Sequence, residues 1–143
     1  MSMTFTSDSF CDWLQVGFTI AAGIYVLYLF RQSNREKRSK HVYDIINWFY
    51  SDNEIRTIIY TVDSGHNVKE IKFKGLLELQ ADKTIKYFDY IGYLIKEGDL
   101  KQKDIRPLKY EIDRVLNNGT VQEYINWLRK IGVPLENLKY LKK

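Results

Sequence analysis

The sequence predicts an all-α fold, with one N-terminal transmembrane helix followed by a small antiparallel helical bundle. Three observations predict it. Residues 13–30, WLQVGFTIAAGIYVLYLF, carry no charge and only two clearly polar side chains, Gln15 and Thr19. Five basic residues follow at once: Arg31, Arg35, Lys37, Arg38 and Lys40. Beyond them apolar residues recur at helical spacing, and Gly65, Gly98, Gly119 and Gly132 fall where the stripes stop.

The apolar run comes first. As a helix it rises about 27 Å, close to the roughly 30 Å of hydrocarbon in a bilayer. A soluble core helix keeps a polar stripe, and this run is apolar all round. Trp13, Tyr25, Tyr28 and Phe30 lie near its ends, where aromatic rings favour the membrane interface. A cleavable signal peptide needs its positive charge before the apolar run and a small-residue site after it. Here residues 1–30 hold Asp8 and Asp12 and no Lys or Arg, and Leu29-Phe30-Arg31-Gln32 offers no such site.

Basic residues beside a span stay on the cytoplasmic side. We therefore expect an external N-terminus over 1–12, a span over 13–30, a basic juxtamembrane collar over 31–40 and a cytosolic helical domain over 41–143. The expected location is the cytoplasmic (inner) membrane, crossed once. Gly17 with Ala21, and Thr19 with Gly23, have the small-xxx-small spacing that lets two membrane helices approach. Gly17, Ala21 and Gly23 are thus candidate helix-association residues.

The cytosolic elements follow in order. No Pro or Gly lies between Ile24 and Ser64, so the first helix is free to continue through the collar. Val42, Ile45, Ile46 and Phe49 then share one face. Ser51-Asp52 offers an N-cap for a short helix with the stripe Ile55, Ile58, Ile59 and Val62, ended by Asp63-Ser64-Gly65. Residues 66–74 alternate apolar and polar, but a lone strand has nothing to pair with, so we read a loop. A long helix is expected over 76–97, with Leu77, Ala81, Ile85, Phe88, Ile91, Gly92 and Ile95 inward and Gly98 as terminator.

The next helix is expected to start near residues 101–104, with Pro107 in its first turn and Ile105, Leu108, Ile112, Val115 and Leu116 inward. Asn117-Asn118-Gly119 stops it. Thr120-Val121-Gln122-Glu123 reads as a capping box that opens a helix with Val121, Tyr124, Ile125, Leu128 and Ile131 on its buried side. Residues 135–141 read as a last short turn. Stripes of this kind bury one another most simply in an antiparallel bundle.

Charge and composition exclude several functions. The chain's net charge of +4 arises mainly in the collar, because residues 41–143 mix 17 basic with 15 acidic side chains. A nucleic-acid binder concentrates its basic charge on one face, so none is expected among the partners. Membrane lipids are expected partners of the collar. Cys11 is the only cysteine, so no intrachain disulfide forms, in keeping with a reducing cytosol. His41 and His66 stand far apart without neighbouring cysteines, so neither a metal nor another cofactor is expected. Glu78, Asp82 and Asp89 stand among lysines and read as a solvated helix face.

No phosphate-binding glycine loop and no nucleophile elbow is present, so no catalysis is expected. Arg35 and His41 have a spacing that some small helical nucleases use, but both lie against the expected membrane surface. Tyr87, Tyr90 and Tyr93 fall partly off the core stripe of their helix. Half-exposed tyrosines suit a protein interface, and these three are the candidate interface residues.

Three stretches carry a family resemblance. They are Asp52-Asn53-Glu54-Ile55-Arg56 with Tyr60 after it, residues 88–98 ending in Glu97-Gly98, and Tyr110-Glu111-Ile112 followed by Val121-Gln122-Glu123-Tyr124. Residues 52–128 thereby resemble an uncharacterised family of small bacterial single-pass membrane proteins with a cytosolic helical domain of unknown function. The resemblance implies architecture, a bacterial source and location, and no catalytic residue. The expected function is a membrane-anchored domain that binds another protein or itself as a homo-oligomer. The alternative is a membrane-acting effector, of the toxin or anti-phage type, whose assembled N-terminal helices perturb the bilayer.

Overall fold

The computed structural model describes residues 7–142, with side chains from Trp13 onward. The expected external segment, with Cys11, Asp8 and Asp12, lies outside the described side chains. Five α-helices and three short 3-10 turns make up the described chain, and no strand occurs among the described residues. The chain divides into two compact units at Ser39/Lys40.

Helix α1 runs Ser7–Ser51 and contains both the apolar run and the collar. It is long and apolar enough to cross a membrane, and none of the apolar window is buried by the protein. Trp13, Phe18, Ile24, Val26, Leu27 and Phe30 are all exposed. The hydroxyl of Thr19 donates to the Gln15 carbonyl at 2.9 Å, so this polar group is satisfied within the helix itself.

In the second unit the end of α1 turns Ile45 and Phe49 into the core. Helix α2, Asn53–Ser64, starts on Asp52, whose carboxylate accepts from the Glu54 and Ile55 amides at 2.9 and 3.1 Å. It buries Ile55, Ile58 and Val62. A 3-10 turn at Val68–Glu70 follows, in keeping with a loop over 66–74, and Ile71 inserts fully into the core.

Helix α3, Glu78–Glu97, packs against α2 on one side and the C-terminal 3-10 turn Asn137–Leu141 on another. Ala81, Ile85, Phe88 and Ile91 lie inward as expected, and the Phe49 and Phe88 rings stack 6.2 Å apart. Gly98 ends α3 in the left-handed conformation at φ 85°. Gly92 has a different task. A Cβ there would lie 2.2 Å from the Asn137 carbonyl oxygen, so only glycine lets the C-terminal turn approach this closely.

Residues 102–108 form a 3-10 helix through Pro107, where an α-helical turn was expected. Helix α4, Lys109–Asn117, follows it directly and buries Ile112, Val115 and Leu116. Helix α5, Gly119–Lys130, begins one residue earlier than its expected cap. The cap is Asn118, whose side-chain oxygen accepts from the Thr120 and Val121 amides at 3.1 and 3.3 Å. The chain turns between α4 and α5 on this single residue, so Thr120 is already inside the helix. Ile131, expected to be buried, is exposed because α5 has ended by then.

Candidate interaction surface on helix α3

The three tyrosines of α3 divide. Tyr87 is only 6% exposed, and its hydroxyl donates to the Ile45 carbonyl at 2.8 Å. Trp48 meets its ring edge-on at 4.1 Å. Burial pushes the Tyr87 hydroxyl well above its ordinary pKa of 10.0, with Tyr90 and Asp52 adding to the shift. Tyr87 is therefore a core residue, which corrects its expected place at an interface. The end of α1 covers it, and helical spacing on α3 alone could not reveal that.

Tyr90 and Tyr93 remain outside, 50% and 43% exposed. Tyr90 lines an open groove of about 540 Å³ together with Trp48, Asp82, Lys83, Lys86 and Tyr87. Tyr93 lies one helical turn further along and does not line the groove. Trp48 was not among the expected interface residues. The signal was its place beside the Val42, Ile45, Ile46 and Phe49 stripe, where an indole has no core to enter.

Charge frames the groove. Lys86 pairs with Asp82 at 2.7 Å, one helical turn apart. Lys83 reaches Asp52 at 2.7 Å, contacts Glu54 as well, and holds its ammonium 5.9 Å from the centre of the Trp48 ring. Burial works upward on the Asp52 carboxyl, but the Lys83 ammonium and the Ile55 and Glu54 amides outweigh it, leaving its pKa below 3.8. The hydrogen bonds to Asp52 and then Glu54 hold the Lys83 pKa above 10.5. One lysine of α3 thus ties the N-terminus of α2 to the wall of the groove.

Asp89 also leaves the solvated face expected for it. Its carboxylate accepts from the Asn137 and Leu138 amides at 2.8 and 3.1 Å and from the Asn137 side chain at 2.9 Å. It caps the C-terminal turn from across the fold. Asp82 is held by Lys86, and Glu78 accepts from the Lys74 amide at 2.8 Å. Among the described residues no three His, Cys, Asp or Glu side chains gather as a metal site.

In the first unit Arg31, Arg35 and Arg38 recur at i, i+4 and i+7 and so form one stripe, with Lys37 on another side. Lys40 opens the second unit and is exposed. The collar's one carboxylate, Glu36, accepts from Gln32 at 3.1 Å. Gly17 and Gly23 have open space around them. At about 100° per residue, Gly17/Ala21 and Thr19/Gly23 fall on nearly opposite sides of α1, so one seam cannot use both pairs. No family model matches the chain, and no curated protein or solved structure matches it.

Proposed function

We propose that the chain is a single-pass protein of the cytoplasmic membrane, with its N-terminus outside and residues 41–143 in the cytosol. In this reading the cytosolic part is a small antiparallel bundle that holds another protein or a second copy. The observation that carries the reading is the contrast along one chain. Residues 13–30 are apolar and exposed all round and end at a basic collar, whereas the second unit buries its own core. The Trp48/Tyr90 groove supports a contact surface, because a Trp–Tyr pair flanked by Lys86 joins large apolar area to polar tips. Tethering raises the local concentration of the domain at the membrane, so a modest contact suffices for binding.

The test is photo-crosslinking in the expressing cell, with a photoreactive phenylalanine at position 90 or at Tyr110, which is exposed and does not line the groove. Position 90 should give a discrete adduct that Trp48→Ala removes, with circular dichroism unchanged. Equal crosslinking at both positions, or none at either, would overturn the groove as the contact surface. The effector alternative makes a different demand. Expression of the full chain would arrest growth and collapse the membrane potential, and a chain lacking residues 1–30 would do neither.

A further inference from the structure

The two most exposed large hydrophobic residues of the described chain are outside the apolar run. Leu76 and Leu79 are 85% and 80% exposed, more than any large hydrophobic residue between Trp13 and Phe30. Phe73 is exposed beside them, so apolar tips stand at 73, 76 and 79, at three-residue steps. Helix α3 starts only at Glu78, which leaves Leu76 in the preceding turn.

Three lysines and two carboxylates share this segment, and Glu123 of α5 lines the groove beneath it with Lys69, Lys72 and Phe73. Lys69, Lys72 and Lys74 are exposed, and among the described residues none of them has an ion-pair partner. The two carboxylates of the same segment are turned to the loop's own backbone. Glu70 accepts from the Leu76 amide at 3.2 Å and Glu78 from the Lys74 amide at 2.8 Å. Lys74 itself is held in the left-handed region at φ 60°. The segment is braced from below as well, since the Phe73 ring stacks on Trp127 at 4.6 Å. It is a built surface of apolar tips flanked by lysines, the Lys74 ammonium lying 5.4 Å from the centre of the Phe73 ring, and not a slack linker.

We propose that residues 69–79 are a second lipid contact. Leu76 and Leu79 enter the boundary between headgroups and acyl chains of an anionic bilayer, Phe73 stays stacked on Trp127 with its free face toward the lipid, and Lys69, Lys72 and Lys74 meet the negative headgroups. Exposed apolar tips with surrounding lysines are what an anionic lipid surface selects. A protein groove would match the apolar tips but would have to supply three carboxylates as well. The proposal rests on the membrane reading of α1, which keeps a bilayer within reach of the domain at all times. The anchor then makes the chain a membrane protein, and the loop makes its domain responsive to lipid charge.

The test uses the full chain in lipid nanodiscs holding a single copy. Cys11→Ser removes the native thiol, and Leu79→Cys carries an environment-sensitive fluorophore. A second label at the exposed Ile131, introduced as Ile131→Cys, is the control. Discs of neutral phosphatidylcholine are compared with discs that also contain phosphatidylserine. At position 79, the serine-containing discs should shift emission to the blue and allow quenching by acyl-chain nitroxides. Emission at 131 should stay that of water. Lys69→Gln/Lys72→Gln/Lys74→Gln, with its circular dichroism unchanged, should abolish the shift, as should about 0.5 M salt, which cuts the Debye length to a few ångströms. Water-like emission in both lipids would overturn the proposal, as would an equal shift in neutral discs. So would shielding that appears only with two copies per disc, which would assign the loop to a second chain. A chain that fails to enter the discs at all would overturn the reading of α1 instead.

Discussion

Tyr87 and Tyr90 lie three residues apart on one helix, and truncating them should have opposite consequences. Tyr87→Ala empties a site closed by Trp48 and Ile45 and should cost about 3 kcal/mol in a denaturation experiment. Tyr90→Ala removes an exposed ring and should change stability by less than about 0.5 kcal/mol. Alkali offers a further test. A buried tyrosine whose folded pKa is raised contributes stability that is complete below its ordinary value of 10.0 and is lost as pH rises above it. Burial, followed by Glu78 and Asp82, pushes Tyr124 up to about 12, so it adds to the same loss. The melting temperature should therefore fall from about pH 10 upward, and Tyr87→Phe should flatten part of that fall. A melting temperature indifferent to pH in this range would contradict the burial of both hydroxyls.

At the scale of elements, caps carry the sharpest expectations. Asp52→Ala should cost about 1 kcal/mol, because two amides at the start of α2 lose their acceptor. Its lowered pKa fixes the sign of the acid dependence. The contribution is present above 3.8 and is lost as pH falls below it, and Lys83→Met should move the loss to higher pH. Asp89→Ala should cost about 2 kcal/mol through three lost hydrogen bonds. Hydrogen exchange of Asn137–Leu141 should then quicken before that of α3, and unchanged exchange would refute the cross-fold cap.

These elements show what sequence patterning can reveal. The helical stripes, the Asp52 cap and the Gly65 and Gly98 terminators are local features, and local spacing announces them. Asp89 and Gly92 are set by the C-terminal turn, 48 or 49 residues from Asp89 along the chain, so no window around α3 contains their partners. Asn118 displaced the expected Thr120/Glu123 box because a one-residue link leaves no room for a later cap. Of the groove's lining, Tyr90 was legible because it falls off the core stripe and Trp48 had a signal beside the α1 stripe, whereas Lys83 joins it through packing alone.

At the scale of the whole molecule, two kinds of burial meet on one chain. The second unit covers Phe49, Phe88, Ile112 and Leu138 with its own helices. The apolar run of α1 has no cover from the protein, and exposing that much apolar surface to water is costly at roughly 25 cal/mol per Å². In the reading proposed above, lipid covers residues 13–30, which match it by length, and the collar sets the direction. The most direct measurement is cysteine accessibility in intact cells. Cys11→Ser chains carrying Ser2→Cys or Lys142→Cys meet a thiol reagent that cannot cross the membrane. With the proposed topology, Ser2→Cys reacts in intact cells and Lys142→Cys only after lysis, with both chains in the carbonate-resistant membrane fraction. Release by carbonate, or reaction of Lys142→Cys in intact cells, would contradict it.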